Sequence, residues 1–156
     1  MRQKLKKKMS LKQEKRIAKD VGGSLVPLSG ALKTSASWKG DINTKDEKYE
    51  CKVTTMGAYQ LHFKDLSKIR TEAIKAGKEP VFIFEFLEGP YKAKYACIFE
   101  KNNCEPSKHK SIKFPAKFLY MQTLNSLVYF FKYVDKKIER GVSVYKYEDY
   151  IKYRDK

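Results

Sequence analysis

Acidic residues are scarce in this chain: 18 Asp and Glu stand against 34 Lys and Arg in 156 residues, for a formal charge of +16 and a pI near 9.7. That imbalance is far from the charge balance of an ordinary cytosolic enzyme and points to a polyanion as partner. Histidine is limited to His62 and His109, and cysteine to Cys51, Cys97 and Cys104. An odd cysteine count without zinc-ligand spacing supports neither a disulfide framework nor a structural zinc site. Nothing in the spacing favours a Cys-His nucleophile pair, and Cys51 and Cys97 read as small apolar residues on the inner faces of strands. No apolar run approaches membrane-spanning length, and the basic N-terminus is not followed by the apolar stretch of a signal peptide. The expectation is a soluble protein of the reducing cytoplasm with no membrane partner.

What is present suffices for one domain with a real core: 42% of residues are hydrophobic, including nine Phe and eleven Tyr. Residues 1–9 read as a mobile basic arm in which Lys6, Lys7 and Lys8 contact nucleic-acid phosphates, carry a targeting signal or are simply solvated. The single domain then spans 10–156, with a core over 10–100. Ser10 and Gln13 form a capping box that opens a helix, closed by Gly22-Gly23. Leu11, Glu14, Ile17, Ala18 and Val21 share one face at helical spacing, which sets Glu14 in an apolar stripe. A carboxylate there needs a cation or hydrogen-bond partner opposite, or it lies at the stripe's edge.

Residues 24–39 are poor in acids. Leu25 to Leu28 read as a brief strand and Ser29-Gly30-Ala31 as a tight turn. Lys33, Thr34, Ser35, Ser37 and Lys39 then offer hydroxyl and ammonium groups as a phosphate cradle, the bland reading being a polar loop. Trp38 anchors that loop or stacks on a base. Gly40-Asp41-Ile42 and Tyr49-Glu50-Cys51-Lys52-Val53 follow as two strands joined by a polar turn. Alternation sends Tyr49, Cys51 and Val53 to one face and Glu50 and Lys52 to the other. Paired as a hairpin, the strands set Asp41 beside Glu50, two carboxylates able to share a divalent cation with an ammonium next to them. An acid two places before a base recurs by chance in so charged a chain, and the competing reading is an exposed, salt-bridged strand face.

Further on, the periodicity predicts a helix over 59–76 with Gly77 beyond its end, then a doubly covered central strand at 81–86. A turn at Glu88-Gly89-Pro90 and a strand at 91–99 make a second hairpin. After a polar loop, Leu124, Phe131, Val134 and Ile138 predict a long helix over 117–140, ended by Gly141. A tail bearing Tyr145, Tyr147, Tyr150 and Tyr153 packs on the domain, stacks on bases or covers a partner subunit.

The order of a helix with Glu14, Ser29-Gly30, Asp41 in one hairpin strand and Glu50-Cys51-Lys52 in the next resembles the PD-(D/E)xK nuclease superfamily. Within it, the archaeal-type Holliday junction resolvases and their phage-encoded relatives are the nearest in pattern. The likeness covers Leu11 to Phe86; the C-terminal half has no matching counterpart. Two departures are Gly40 where the superfamily name has Pro, and a long loop between Ser29 and Asp41. The resemblance implies an α/β (α+β) fold with a restriction-endonuclease-like mixed sheet flanked by helices, extended by C-terminal helix. It implies a catalytic set of Glu14, Ser29, Asp41, Glu50 and Lys52. Mg²⁺, with Mn²⁺ as the alternative, would be held by Asp41, Glu50, Glu14 and the Cys51 backbone carbonyl, since Mg²⁺ takes hard oxygen ligands. DNA, in particular a four-way junction, is the implied substrate, and its two-fold symmetry calls for a homodimer. The rival readings are a nuclease of restriction or repair specificity, a non-catalytic basic nucleic-acid-binding protein and, last, a membrane-surface or structural protein.

Overall fold

The computed structural model describes residues 2–25, 41–100, 110–122, 127–135 and 137–155, with side chains from residue 8 onward. Helix α1 (Arg2–Val21) is followed by three antiparallel strands, β1 (Ser24–Leu25), β2 (Ile42–Asn43) and β3 (Glu47–Thr54). Then come β4 (Ala58–His62), α2 (Phe63–Lys75), β5 (Glu79–Phe86) and β6 (Ala93–Glu100). The chain continues with β7 (Ser111–Pro115), α3 (Ala116–Tyr120), β8 (Leu127–Asp135), β9 (Ile138–Lys146) and α4 (Tyr147–Arg154). Seven strands form one mixed sheet in the order β1-β2-β3-β5-β6-β9-β8, and β4 pairs with β7 apart from it. β3 and β5 run parallel, a pairing that needs a crossover, which α2 supplies.

Each sheet face has its own core. Phe82, Phe84 and Phe86 of β5 point to one face, where Leu66 and Ile69 of α2, Leu61 of β4, Phe114 of β7 and Leu119 of α3 cover them. Val81 and Ile83 point to the other, against Ile17, Ala18 and Val21 of α1 and Tyr147 and Tyr150 of α4. A strand covered on both sides reads as a continuous apolar run, and the prediction for 81–86 holds. Each fully buried Phe contributes roughly 1.5–3 kcal/mol of transfer free energy. Cys51 and Cys97 are buried and unbridged, as expected.

Several expectations are corrected. α1 begins at Arg2, so Ser10 lies inside it and caps nothing; lysine-rich sequence is a good helix former and extends the helix. Leu11 is 46% exposed, and the buried stripe is Gln13, Ile17, Ala18 and Val21. Residues 58–62 form a strand instead of the first turn of a helix, because their partner is β7, about fifty residues away. The long helix over 117–140 is absent: α3 ends at Tyr120, and β8 and β9 form a hairpin that joins the main sheet through β6. Its turn contains Lys137 at φ 68, with no Gly or Asn to announce it. Gly141 ends no helix. It faces Glu100 across the β6–β9 pair, and a Cβ there would collide with the Glu100 carbonyl. The C-terminal helical extension is therefore two sheet strands and a short helix, and Tyr147 and Tyr150 pack inward. Among the described residues no helix is long and apolar enough to cross a membrane.

The short α4 is fastened to β3. Arg154 donates from Nε to Glu47 Oε2 at 2.8 Å and from its NH2 group to Oε1 at 2.6 Å, and the same NH2 group donates to the Val21 carbonyl at 2.9 Å. Tyr49 and Tyr150 hydroxyls both donate to Glu47 Oε2, at 2.8 and 3.0 Å. Burial alone would raise the Glu47 pKa; these hydrogen bonds from Arg154, Tyr49 and Tyr150 outweigh it and hold the carboxyl below its ordinary value. A depressed acid stabilises the fold above its ordinary pKa, and that contribution disappears as pH falls through the depressed value. Arg154→Met is therefore expected to cost roughly 2–3 kcal/mol at neutral pH, somewhat less than for a fully buried pair because both partners keep some exposure. In urea unfolding, the gap between variant and wild type should close in acid; a gap constant with pH would show that the ion pair is not its source.

Candidate active site

The hairpin is set by its turn. Thr44 Oγ1 accepts from the Asp46 and Glu47 backbone N–H groups at 3.2 and 2.9 Å, and Thr44 N–H donates to the Glu47 carbonyl at 3.0 Å. This fixes Ile42 opposite Tyr49 and Asn43 opposite Lys48, so the next step along the register sets Asp41 against Glu50. Asp41 N–H donates to the Tyr49 carbonyl at 2.8 Å, and its carboxylate Oδ2 accepts from Cys51 N–H at 2.7 Å. Lys52 Nζ lies 3.3 Å from Glu50 Oε1; the Glu50 side chain is 8% exposed and that of Lys52 42%.

α1 delivers Glu14 to the same place. Glu14, Asp41, Cys51 and Lys52 line one cleft of about 560 Å³, together with Ser10, Tyr59, His62 and Asp65 among others. Burial and then the Asp41 and Glu50 charges push Glu14 up to about 7, against a weaker pull from Lys52 and a hydrogen bond from Ser10. Asp41 rises to about 6, from burial first and Glu50 second, although the Cys51 N–H lowers it. Burial works to depress Lys52, but the Glu50 carboxylate outweighs it and leaves the ammonium raised and charged. Burial keeps the Cys51 thiol well above its ordinary value, so it is a protonated packing group and not a nucleophile.

Four of the five expected catalytic residues, Glu14, Asp41, Glu50 and Lys52, thus form one electrostatic cluster. Ser29, Lys33, Lys39 and Trp38 lie outside the described residues, as do the side chains of Lys6 and Lys7; Lys8 is exposed on α1. Sequence reasoning missed Gln13, which is fully buried and donates from Nε2 to the Lys52 carbonyl at 3.0 Å, tying α1 to β3 beside the cluster. Its signal was the spacing Gln13, Ile17, Val21, obscured by assigning Gln13 to a cap. Tyr59 and His62 were missed because β4 was read as helix; Asp65, on α2, adds a further negative charge that favours charged Lys52.

An all-oxygen donor set of three mutually repelling carboxylates suits a hard divalent cation in charge and chemistry. Among the described residues, however, no three His, Cys, Asp or Glu side chains close into a metal-binding group. The donor chemistry therefore fits a hard cation, while a closed group of three side-chain ligands is not formed among the described residues.

Raised carboxyl pKa values mean that the folded protein holds more protons than the unfolded chain between the ordinary carboxylate range and about pH 7. Stability contributed by this cluster must then fall as pH rises through that window and level off above it. In chelator, Asp41→Asn is expected to flatten that fall and raise the melting temperature by a few degrees at pH 8, the amide still accepting from Cys51 N–H. An unchanged or steeper pH profile would mean that the carboxylates do not repel one another as drawn. No protein-family model, curated protein or solved structure matches the chain.

Proposed function

We propose that this chain is a metal-dependent endonuclease that hydrolyses DNA phosphodiester bonds, with branched DNA, in particular a four-way junction, as substrate in recombination and DNA processing. The observation that carries the reading is the convergence of Glu14 from α1 with Asp41 and Glu50 across a hairpin register, beside the Lys52 ammonium. Further support lies in the element order on which the nuclease resemblance rests: helix, hairpin, helix and buried parallel strand follow one another as α1, β2–β3, α2 and β5, with β4 inserted. A charge of +16 supplies attraction for the polyanion.

Asp41 and Glu50 would hold Mg²⁺, with Glu14 as a direct or water-mediated ligand and the Cys51 carbonyl completing the set. A cation there supplies Lewis acidity, lowering the pKa of water and offsetting negative charge that builds on the phosphate. Lys52 neutralises a non-bridging phosphate oxygen or orients the attacking water, its Glu50 contact keeping it charged. Cys51 N–H and the hairpin backbone hold Asp41 in position, so little reorganisation is needed on binding. A junction has approximate two-fold symmetry, and a homodimer presents two such sites to opposed strands.

The test is cleavage of labelled four-way junction and matched linear duplex by wild type, Asp41→Asn and Lys52→Ala, with Mg²⁺ or with chelator. Either substitution should reduce cleavage by on the order of 100-fold or more while DNA binding persists. Symmetric nicks in the junction alone support a resolvase, and duplex cleavage supports a nuclease of other specificity. Tight binding without any metal-dependent cut would replace the enzyme with a non-catalytic binding protein.

A further inference from the structure

We infer that the DNA flanking the scissile phosphate runs from the cleft into a second hollow, where Lys64 and Lys110 hold its backbone. The hollow has a volume of about 540 Å³ and is walled by His62, Lys64, Ser67, Lys110, Val134 and Asp135, among others. Its continuity with the cleft comes from His62, an exposed residue at the end of β4 that lines both. The first turns of α2 divide between the two: Asp65 faces the cleft and Ser67 the hollow. A strand whose reacting phosphate sits over Glu14, Asp41 and Lys52 therefore meets the hollow next when it passes His62.

The chemistry of the wall matches a phosphodiester backbone. Lys64 and Lys110 are exposed, and among the described residues neither forms an ion pair, so both ammonium groups are available to phosphate. Among the described residues Asp135 is the one acid in the lining, against these two lysines. Their backbone is rigidly placed: Phe63 N–H donates to the Lys110 carbonyl at 3.0 Å, and His62 pairs with Ser111 in the β4–β7 ladder. Across the hollow stands the end of the β8–β9 hairpin, where Val134 and Ile138 are each 51% exposed near Lys137. Exposed apolar side chains beside basic ones suit the sugars and base edges of the same strand. Cations on a fixed frame fix register on a backbone without reading sequence, which is what a nuclease selecting DNA shape requires.

The inference takes its substrate from the nuclease reading, but its test reads binding and needs no cleavage. Anisotropy of labelled junction and duplex, in chelator across a salt series, is compared for the full-length wild type, Lys64→Gln/Lys110→Gln and the control Lys75→Gln/Lys152→Gln. The control removes the same charge from exposed positions away from the hollow. The first double variant is expected to bind several-fold more weakly and to lose about 2 from the slope of log K against log salt, about one per phosphate contact. The control should show the smaller effect of net charge alone. Equal losses in the two double variants, or wild-type affinity in the first, would overturn the track. Wild type that binds but never cuts would end the nuclease reading while this comparison still decides the track; wild type that binds no DNA ends both.

Discussion

Like-charge crowding midway along β3 is the constraint on which the rest of the molecule depends. Burial and the neighbouring carboxylates raise the proton affinity of Glu14 and Asp41, while the Lys52 ammonium, 3.3 Å from Glu50, pulls the other way. Left to relax, three carboxylates in a partly dry cleft would separate or take up protons. They stay together because each is fixed by structure that has nothing to do with charge: Glu14 by a helix whose neighbouring face is buried, Asp41 by a hairpin register and a backbone hydrogen bond, Glu50 by its place in a central strand. A functional site held against its own repulsion gives up local stability that must be supplied elsewhere in the fold.

Much of that support converges on β3. Its Tyr49 and Cys51 enter the core beneath α1 and α4, its backbone pairs with β5 over eight residues, and its first residue, Glu47, receives the Arg154 fork. The C-terminal segment thus acts at the site without touching it. β9 lies against β6, α4 packs across the face that α1 uses, and the Tyr147 hydroxyl donates to Asp20 on α1 at 2.7 Å. Gln13 does the same work at the other end of the strand, linking helix to hairpin through the Lys52 carbonyl. Helix and strand are therefore locked together at both ends of the span that carries the carboxylates, which is how separate elements can present groups in fixed relation.

How much of this was legible in the sequence depended on whether the deciding contact was local. The Asp41–Glu50 hairpin, the buried run at 81–86 and the turn before β6 could be read because alternation and turn residues lie within a few positions of one another. Tyr59 to His62 could not, since their strand partner is residues 111–115 and their spacing also fits a helix. The β8–β9 hairpin misled for a related reason. Leu127, Phe131, Val134 and Ile138 satisfy a period near 3.6, while the aromatic and β-branched content of 127–134 argued for strand, and the sequence Asp-Lys-Lys that follows offered no breaker. At the site, charged residues in an unusual setting stood out, whereas Gln13 was invisible because a neutral amide on an apolar face looks like an ordinary cap.

The cluster also bears on why a basic protein keeps acids in its cleft. On the nuclease reading, a charge of +16 would draw nucleic acid in, yet Glu14, Asp41 and Asp65 along the cleft would repel the phosphate that arrives. A module that only binds backbone would do better with lysine or serine at those positions. Protonation of Asp41 and Glu14 eases the conflict below about pH 6 to 7, the range to which burial and neighbouring charge raise those two groups. Above that range a bound cation would ease it, and because it would need the ionised carboxylates, proton and metal would compete for the same oxygens. Phosphate, carboxylates and cation would then be mutually stabilising only when all three are present, so the groups that repel one another are the ones that would hold the loaded site together.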